Sequence, residues 1–180
     1  MAGRHVALLR GINVGRAKRV AMADLRVLLE ELGYGDVRTL LNSGNAVFTA
    51  PRGARGDHAP RIEKALAGRL GVSSRVTVLS GAQFLEVAAR NPLADVASDP
   101  ARHLVGFLRT SSAIERLAPL LKEQWGAERL ALGPGVAYLW CADGILASRV
   151  LEAVVRAAGD GITTRNWTTV SKLAALVRIG

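Results

Sequence analysis

Three polar stretches interrupt an otherwise apolar pattern, and each carries side chains able to hold an anion. The first is Arg10-Gly11-Ile12-Asn13-Val14-Gly15, directly after an apolar run. Glycines let backbone amides turn toward one point and cradle a negative charge. Arg10, Arg16, Lys18 and Arg19 surround them with cations. The second is Asn42-Ser43-Gly44-Asn45, whose residue types suit a tight turn with positive φ. Its amides can also read a polar ligand. The third is Thr163-Thr164-Arg165-Asn166-Trp167-Thr168-Thr169, which reads as a loop ending at a helix N-terminus, where amide donors lack partners. Arg165 can grip a carboxylate or phosphate through two parallel bonds, and Trp167 can stack on a planar group. Thr168 or Thr169 would cap the helix. Each stretch has an ordinary structural reading beside the functional one: a strand-to-helix loop, a hairpin turn and a helix cap.

Other chemistry finds little support. No Gly-Lys-Ser/Thr follows the first stretch, and the third glycine of a dinucleotide fingerprint is missing. His5, His58 and His103 are far apart, and no Cys/His cluster has metal-ligand spacing. No Gly-x-Ser-x-Gly motif occurs, and Asp24, Asp36, Asp57 and Asp160 form no paired-carboxylate motif. The sequence leans away from an enzyme, implies no metal or cofactor, and names no catalytic residue. A site assembled from distant residues stays open.

Charge is uneven. Residues 1–80 carry 13 Lys+Arg against 6 Asp+Glu, whereas residues 81–180 carry 11 against 9, within a total of +9. A basic half suits a polyanion such as nucleic acid. The 20 arginines against 4 lysines, however, match what a GC-rich genome would produce. The single cysteine, Cys141, rules out an intramolecular disulfide and fits a reducing cytoplasm. It sits in an apolar run and reads as a small buried hydrophobe. The longest apolar run, Val136 to Ala142, is too short for a membrane span, and no export signal is visible.

The elements that would position these residues follow from periodicity. His5 to Leu9 reads as a buried strand. Leu25, Leu28, Leu29 and Leu32 recur at helical spacing before Gly33. Val37–Leu41 and Ala46–Thr49 read as a hairpin around residues 42–45, and Pro51–Gly56 as a loop. A helix opens near Asp57 with Pro60 in its first turn, and Arg75–Leu79 is a strand. The order β-α-β-β-α-β is that of a ferredoxin-like plait. Ser80 and Gln83 form a capping box for a connecting helix that Asn91-Pro92 ends, and residues 94–102 read as a linker.

The second half repeats this outline. It has a strand at Leu104–Leu108, then a capping box at Ser112 and Glu115 before a helix with Leu117, Leu120 and Leu121. A hairpin of Arg129–Leu132 and Val136–Cys141 follows, then a helix from about Ala147 to Ala158. Ile162–Thr164 is the only candidate for its last strand, and a helix at about Thr169–Arg178 closes the chain. The fold class is therefore α/β of the α+β type, two ferredoxin-like plaits in tandem. Their boundaries are 1–80 and 103–180, with a connecting helix and linker at 81–102. A base-stacking RNA platform is missing, because the central strands offer only His5 and Phe48.

The same stretches carry a resemblance. Leu8 to Gly15 is similar to the N-terminal signature of the bacterial family known as domain of unknown function 1697. Met22-Ala23-Asp24-Leu25-Arg26, Asp36-Val37-Arg38-Thr39, Asn42-Ser43-Gly44-Asn45 and Val47-Phe48 resemble its next blocks. Thr164-Arg165-Asn166-Trp167 and Thr169-Val170 resemble its C-terminal block. The resemblance implies a paired ferredoxin-like architecture and carries over no catalytic residue. Arg16-Ala17-Lys18-Arg19 departs from a more glycine-rich pattern in that family.

The leading expectation is one site for a small phosphate- or carboxylate-bearing ligand, built from Arg10, Asn13, Gly15, Asn45, Arg165, Asn166 and Trp167. The alternatives are nonspecific nucleic-acid binding through the basic half and an enzyme of unidentified reaction. The oligomeric state is open.

Overall fold

The computed structural model describes residues 3–51 and 57–179, so the loop expected at Pro51–Gly56 lies, from Arg52 on, outside the described residues. The chain divides into two compact units, one of residues 1–85 with 173–180 and one of residues 86–172. Among the described residues it is a mixed α/β chain with two four-stranded antiparallel sheets and six α-helices.

In the first unit the order is β1 (Arg4–Leu9), α1 (Met22–Glu31), β2 (Gly35–Leu40), β3 (Asn45–Thr49), α2 (His58–Leu70), β4 (Val76–Ser80) and the start of α3 (Gly81–Ala89). The sheet runs β2-β3-β1-β4. Local chemistry sets the boundaries. Gly33 stops α1 at φ +84. Its amide donates to the Glu30 carbonyl at 2.9 Å. The Asp57 side chain accepts the Ala59 amide at 3.0 Å and so opens α2. The capping box at α3 forms as expected: the Gln83 amide donates to Ser80 Oγ, and the Ser80 amide donates to Gln83 Oε1.

Pleat alternation then builds the core. Ala7 and Leu9 of β1 face the same side as Ala46 and Phe48 of β3. On that side they pack with Leu25, Leu28 and Leu29 of α1 and with Ile62 and Leu66 of α2. The alternate positions Val6, Leu8 and Val47 are buried as well. Strand β2 lies at the sheet edge. Its register slips between Gly35 and Arg38, where Asp36 takes φ +45.

The second unit holds β5 (His103–Leu108), α4 (Ser111–Leu117), β6 (Arg129–Gly133), β7 (Val136–Trp140), α5 (Arg149–Ala158), β8 (Ile162–Asn166) and the first residues of α6 (Trp167–Arg178). Its sheet runs β6-β7-β5-β8. Leu104, Leu108, Ala137, Leu139 and Ile162 pack against Ala113 and Leu117 of α4 and Val150 and Val154 of α5. Helix α5 is capped twice. Ser148 Oγ accepts the Leu151 amide, and Glu128 Oε2 accepts the amides of Arg149 and Val150.

Three expectations are corrected here. The Ser112–Glu115 capping box does not form. Helix α4 starts at Ser111 with Thr110 preceding it, and Ser112 Oγ pairs instead with Thr110 Oγ1 at 2.9 Å. Leu120 and Leu121 do not continue that helix. Pro119 has no amide to donate, the chain tightens into a 3-10 turn over Ala118–Lys122, and Leu121 is half exposed. Thr163 to Asn166 is not a loop but strand β8, which runs two residues past the predicted Ile162–Thr164 and passes directly into α6. No helix among the described residues is long and apolar enough to cross a membrane.

Gly44 combines φ +80 with a crowded site, since a Cβ there would lie 2.7 Å from Ile12 Cδ1 and 2.8 Å from Leu9 Cβ. Gly126 has φ +65 and open space. Gly44→Ala should therefore destabilise by about 1–3 kcal/mol more than Gly126→Ala, the overpacking cost added to a shared backbone cost. Urea unfolding midpoints check this; equal midpoints would show that the turn is not tightly packed.

Candidate functional site

The loop leaving β1 is tied across its mouth by the Asn13 side chain. Asn13, at φ +54, accepts the Val20 amide on Oδ1 at 2.9 Å. Its Nδ2 donates to the carbonyls of Val20 at 2.8 Å and Asn42 at 2.7 Å. The Asn13 amide also donates to the Lys18 carbonyl at 3.0 Å, which closes the loop across residues 14–17. Gly11, Asn13, Gly15 and Lys18 all lie at positive φ, and such alternation turns successive amides toward one side. Arg10 sits at the base of the loop. Its amide donates to the Arg75 carbonyl and its carbonyl accepts from Ser74 Oγ.

Asn45 is not at the hairpin tip. It is the first residue of β3, fully buried, with Nδ2 donating to the Leu40 carbonyl at 2.8 Å and to Ser43 Oγ at 2.9 Å. The first two polar stretches do meet. Asn13 bonds the Asn42 carbonyl, and Gly44 packs on Ile12. The sequence-expected residues Arg10, Asn13, Gly15 and Asn45 therefore share one end of the first unit's sheet.

Arg165, Asn166 and Trp167 belong to the second unit. Arg165 is nine-tenths buried, its Nη1 donates to the Thr164 carbonyl, and burial lowers its pKa to about 10. Asn166 Oδ1 accepts both the amide and the hydroxyl of Thr169, so Asn166, not Thr168 or Thr169, caps α6. Trp167 stacks on His103 with ring centres 4.8 Å apart and planes within 12°. His103 is buried, with no hydrogen-bond partner for Nε2 among the described residues. Burial lowers its pKa to about 4. Cys141 is buried too, and burial pushes its thiol pKa up.

Sequence reasoning missed one constellation. His5 and His58 lie edge to face with ring centres 4.7 Å apart. Tyr34 Oη and His58 Nδ1 share a hydrogen bond at 3.0 Å, and the Arg61 guanidinium lies 5.5 Å from the Tyr34 ring centre. Burial, then His5, then Arg61 hold His58 below the usual histidine range, with Asp57 opposing. The available signal was phase: His5 precedes Ala7 and Leu9 on the core-facing side of β1, where an apolar residue would continue the pattern. Among the described residues no group of three or more His, Cys, Asp or Glu could hold a metal ion.

The basic half is partly paired. Arg26 with Glu30 and Arg69 with Glu31 form exposed ion pairs, and exposed Arg75 pairs with half-buried Glu63. Arg16, Lys18 and Arg19 are exposed and form no ion pair with a described residue.

The sequence matches a family model described as "Protein of unknown function (DUF1697)" over residues 2–138. The chain belongs to this family. A solved structure, that of the conserved bacterial protein SP0830 from Streptococcus pneumoniae, is similar with a TM-score of 0.81 and 25% sequence identity. The similarity covers 99% of this chain and 100% of that one, so the fold is shared end to end. A comparison with curated proteins finds no match. No specific function is indicated for this DUF1697 protein.

Two measurements test these geometries. Asn13→Gly keeps the positive φ but removes three hydrogen bonds, so exchange of the Val20 amide should accelerate about tenfold or more. Unchanged exchange would show that Asn13 does not hold the loop. His103 takes up a proton more readily unfolded than folded. Stability should thus be full above pH 6.5 and fall as pH drops from 6.5 toward 4. His103→Phe, which keeps the stack on Trp167, should flatten that slope in urea unfolding; an unchanged slope would assign it to other groups.

Proposed function

We propose that this protein binds a phosphate-bearing ligand on the loop between β1 and α1. The observation that carries the reading is the Asn13 clamp. It fixes the loop before any ligand arrives, so Arg16, Lys18 and Arg19 bind with less ordering cost. From Arg10 to Ala23 the sequence has no acidic residue to compete. The side-chain amides of Asn13 and Asn45 hold the backbone in place, and the cations and loop amides meet the anion. Arg10 stands at the base of the cradle and Gly15 at its turn. In the second unit, Arg165 and Asn166 brace β8 and α6, and Trp167 supplies a partly exposed ring for a planar group.

The strand orders β2-β3-β1-β4 and β6-β7-β5-β8, with matching helix positions, support reading each unit as a ferredoxin-like plait and the chain as a duplication. One buried cysteine supports a cytoplasmic setting.

The phosphate has two sources, a small molecule or a nucleic-acid strand, and exposed cations favour the second as an alternative. The test is fluorescence anisotropy with short labelled single-stranded DNA and RNA across a salt series, alongside calorimetry with nucleoside monophosphates. The variant is Arg16→Ala, Lys18→Ala and Arg19→Ala combined. For a strand, affinity should fall linearly in log–log salt, and the variant should lose about 0.7 of slope per cation removed. For a small ligand, only calorimetry should report binding, and the variant should lose about tenfold or more in affinity. Binding unchanged in the variant, or no binding in either arm, overturns the proposal.

A further inference from the structure

We infer that His5, Tyr34, His58 and Arg61 form a second anion site, one that takes up a small phosphate-class oxyanion together with a proton. It is separate from the β1–α1 loop. His5 is near the start of the six-residue β1, and the loop leaves its other end, about 13 Å away at the rise of an extended strand.

The site is built from three elements of the first unit. β1 supplies His5, whose ring stacks on Phe48 with centres 5.6 Å apart. The turn after α1 supplies Tyr34, which is buried with its ring 4.4 Å from Phe48. The first turn of α2 supplies His58 and, three residues on, Arg61. Phe48 is thus a rigid floor, and the polar groups stand around it. Both imidazoles are half-buried and reach solvent, and Arg61 is exposed, so an ion can enter.

Hydrogen bonding fixes what the rings offer. His5 Nδ1 lies 2.9 Å from the Gly3 carbonyl, which can only accept. Nδ1 therefore carries the proton, and in the neutral ring Nε2 is a bare lone pair. Protonation at Nε2 turns His5 into a second donor. His58 Nδ1 shares its bond with the Tyr34 hydroxyl, which can donate to the neutral ring or accept from the charged one.

Among the described residues, the groups facing His58 are His5 from β1, Tyr34 from the α1–β2 turn, Asp57 at the cap of α2 and Arg61 within it, with Phe48 of β3 beneath. The Asp57 carboxylate accepts the Ala59 amide as a helix cap. With the site empty, His5 and Arg61 oppose a proton on His58. An oxyanion among them reverses that balance, and the anion draws protons onto the imidazoles. A phosphate monoester suits this better than a carboxylate, since its second ionisation near pH 6 falls in the range where histidine titrates.

The experiment is an NMR pH titration of the histidine ring protons with and without inorganic phosphate, on the wild-type chain and on Arg61→Ala. Arg61 is exposed, so its removal leaves the fold standing; His5→Gln is the second variant. Phosphate should raise the apparent pKa of His58 by about half a unit or more, and affinity should weaken about tenfold from pH 6 to pH 8. Arg61→Ala should reduce both effects, and buried His103 should stay unmoved. Histidine titrations unaffected by phosphate, or a His58 response that stays equal to that of the wild-type chain in both variants, overturn the inference. The variant lacking Arg16, Lys18 and Arg19 should keep the His58 response; its loss there would assign the anion to the loop instead.

Discussion

Strands β1 and β5 carry buried residues on both sides of the pleat, and a buried backbone must have every amide and carbonyl paired. Water cannot do this, so each strand needs a neighbour on both edges. In the first unit β3 and β4 flank β1; in the second β7 and β8 flank β5. Both pairs are antiparallel. The helices follow from the same need, since one side of each sheet would otherwise face water with its apolar row.

That requirement also decides where polar residues are used. The chain leaves β1 at Arg10 and cannot end its hydrogen bonding there abruptly. Ser74 and Arg75 take up the Arg10 backbone, and Asn13 takes up Val20 and Asn42. Asn45 closes the hairpin from beneath, and Asn166 starts α6. All three asparagines complete backbone pairing that the strands leave open. Among the described residues, Arg16, Lys18 and Arg19 around the loop are exposed and form no ion pair.

The element order was legible because it rests on local signals: apolar phase, Gly33 and Gly159 after helices, Ser80 with Gln83. What failed was equally local. Ser112 looked like a cap because of Glu115, but Thr110 took its hydroxyl. Leu120 and Leu121 looked helical until Pro119 removed an amide. Thr163–Asn166 looked like a loop because it is polar, yet pairing with β5 makes an extended strand of polar residues as readily as of apolar ones. For the site, the sequence marked Asn13 and its loop. It could not show that His5 and His58 meet, because that depends on the fold bringing β1 to the start of α2.

The irregular outer strand of the first unit has a wider consequence. A straight, exposed β2 would present an even row of amides and carbonyls to any extended chain that drifted past, and the sheet could grow by one strand after another. Where Asp36 breaks the register, that row loses its spacing, and exposed Asp36 and Arg38 put opposite charges along it. A passing strand would meet a gap, then a mismatch. Any concentrated protein solution offers many such strands, and this edge is shaped to turn them away.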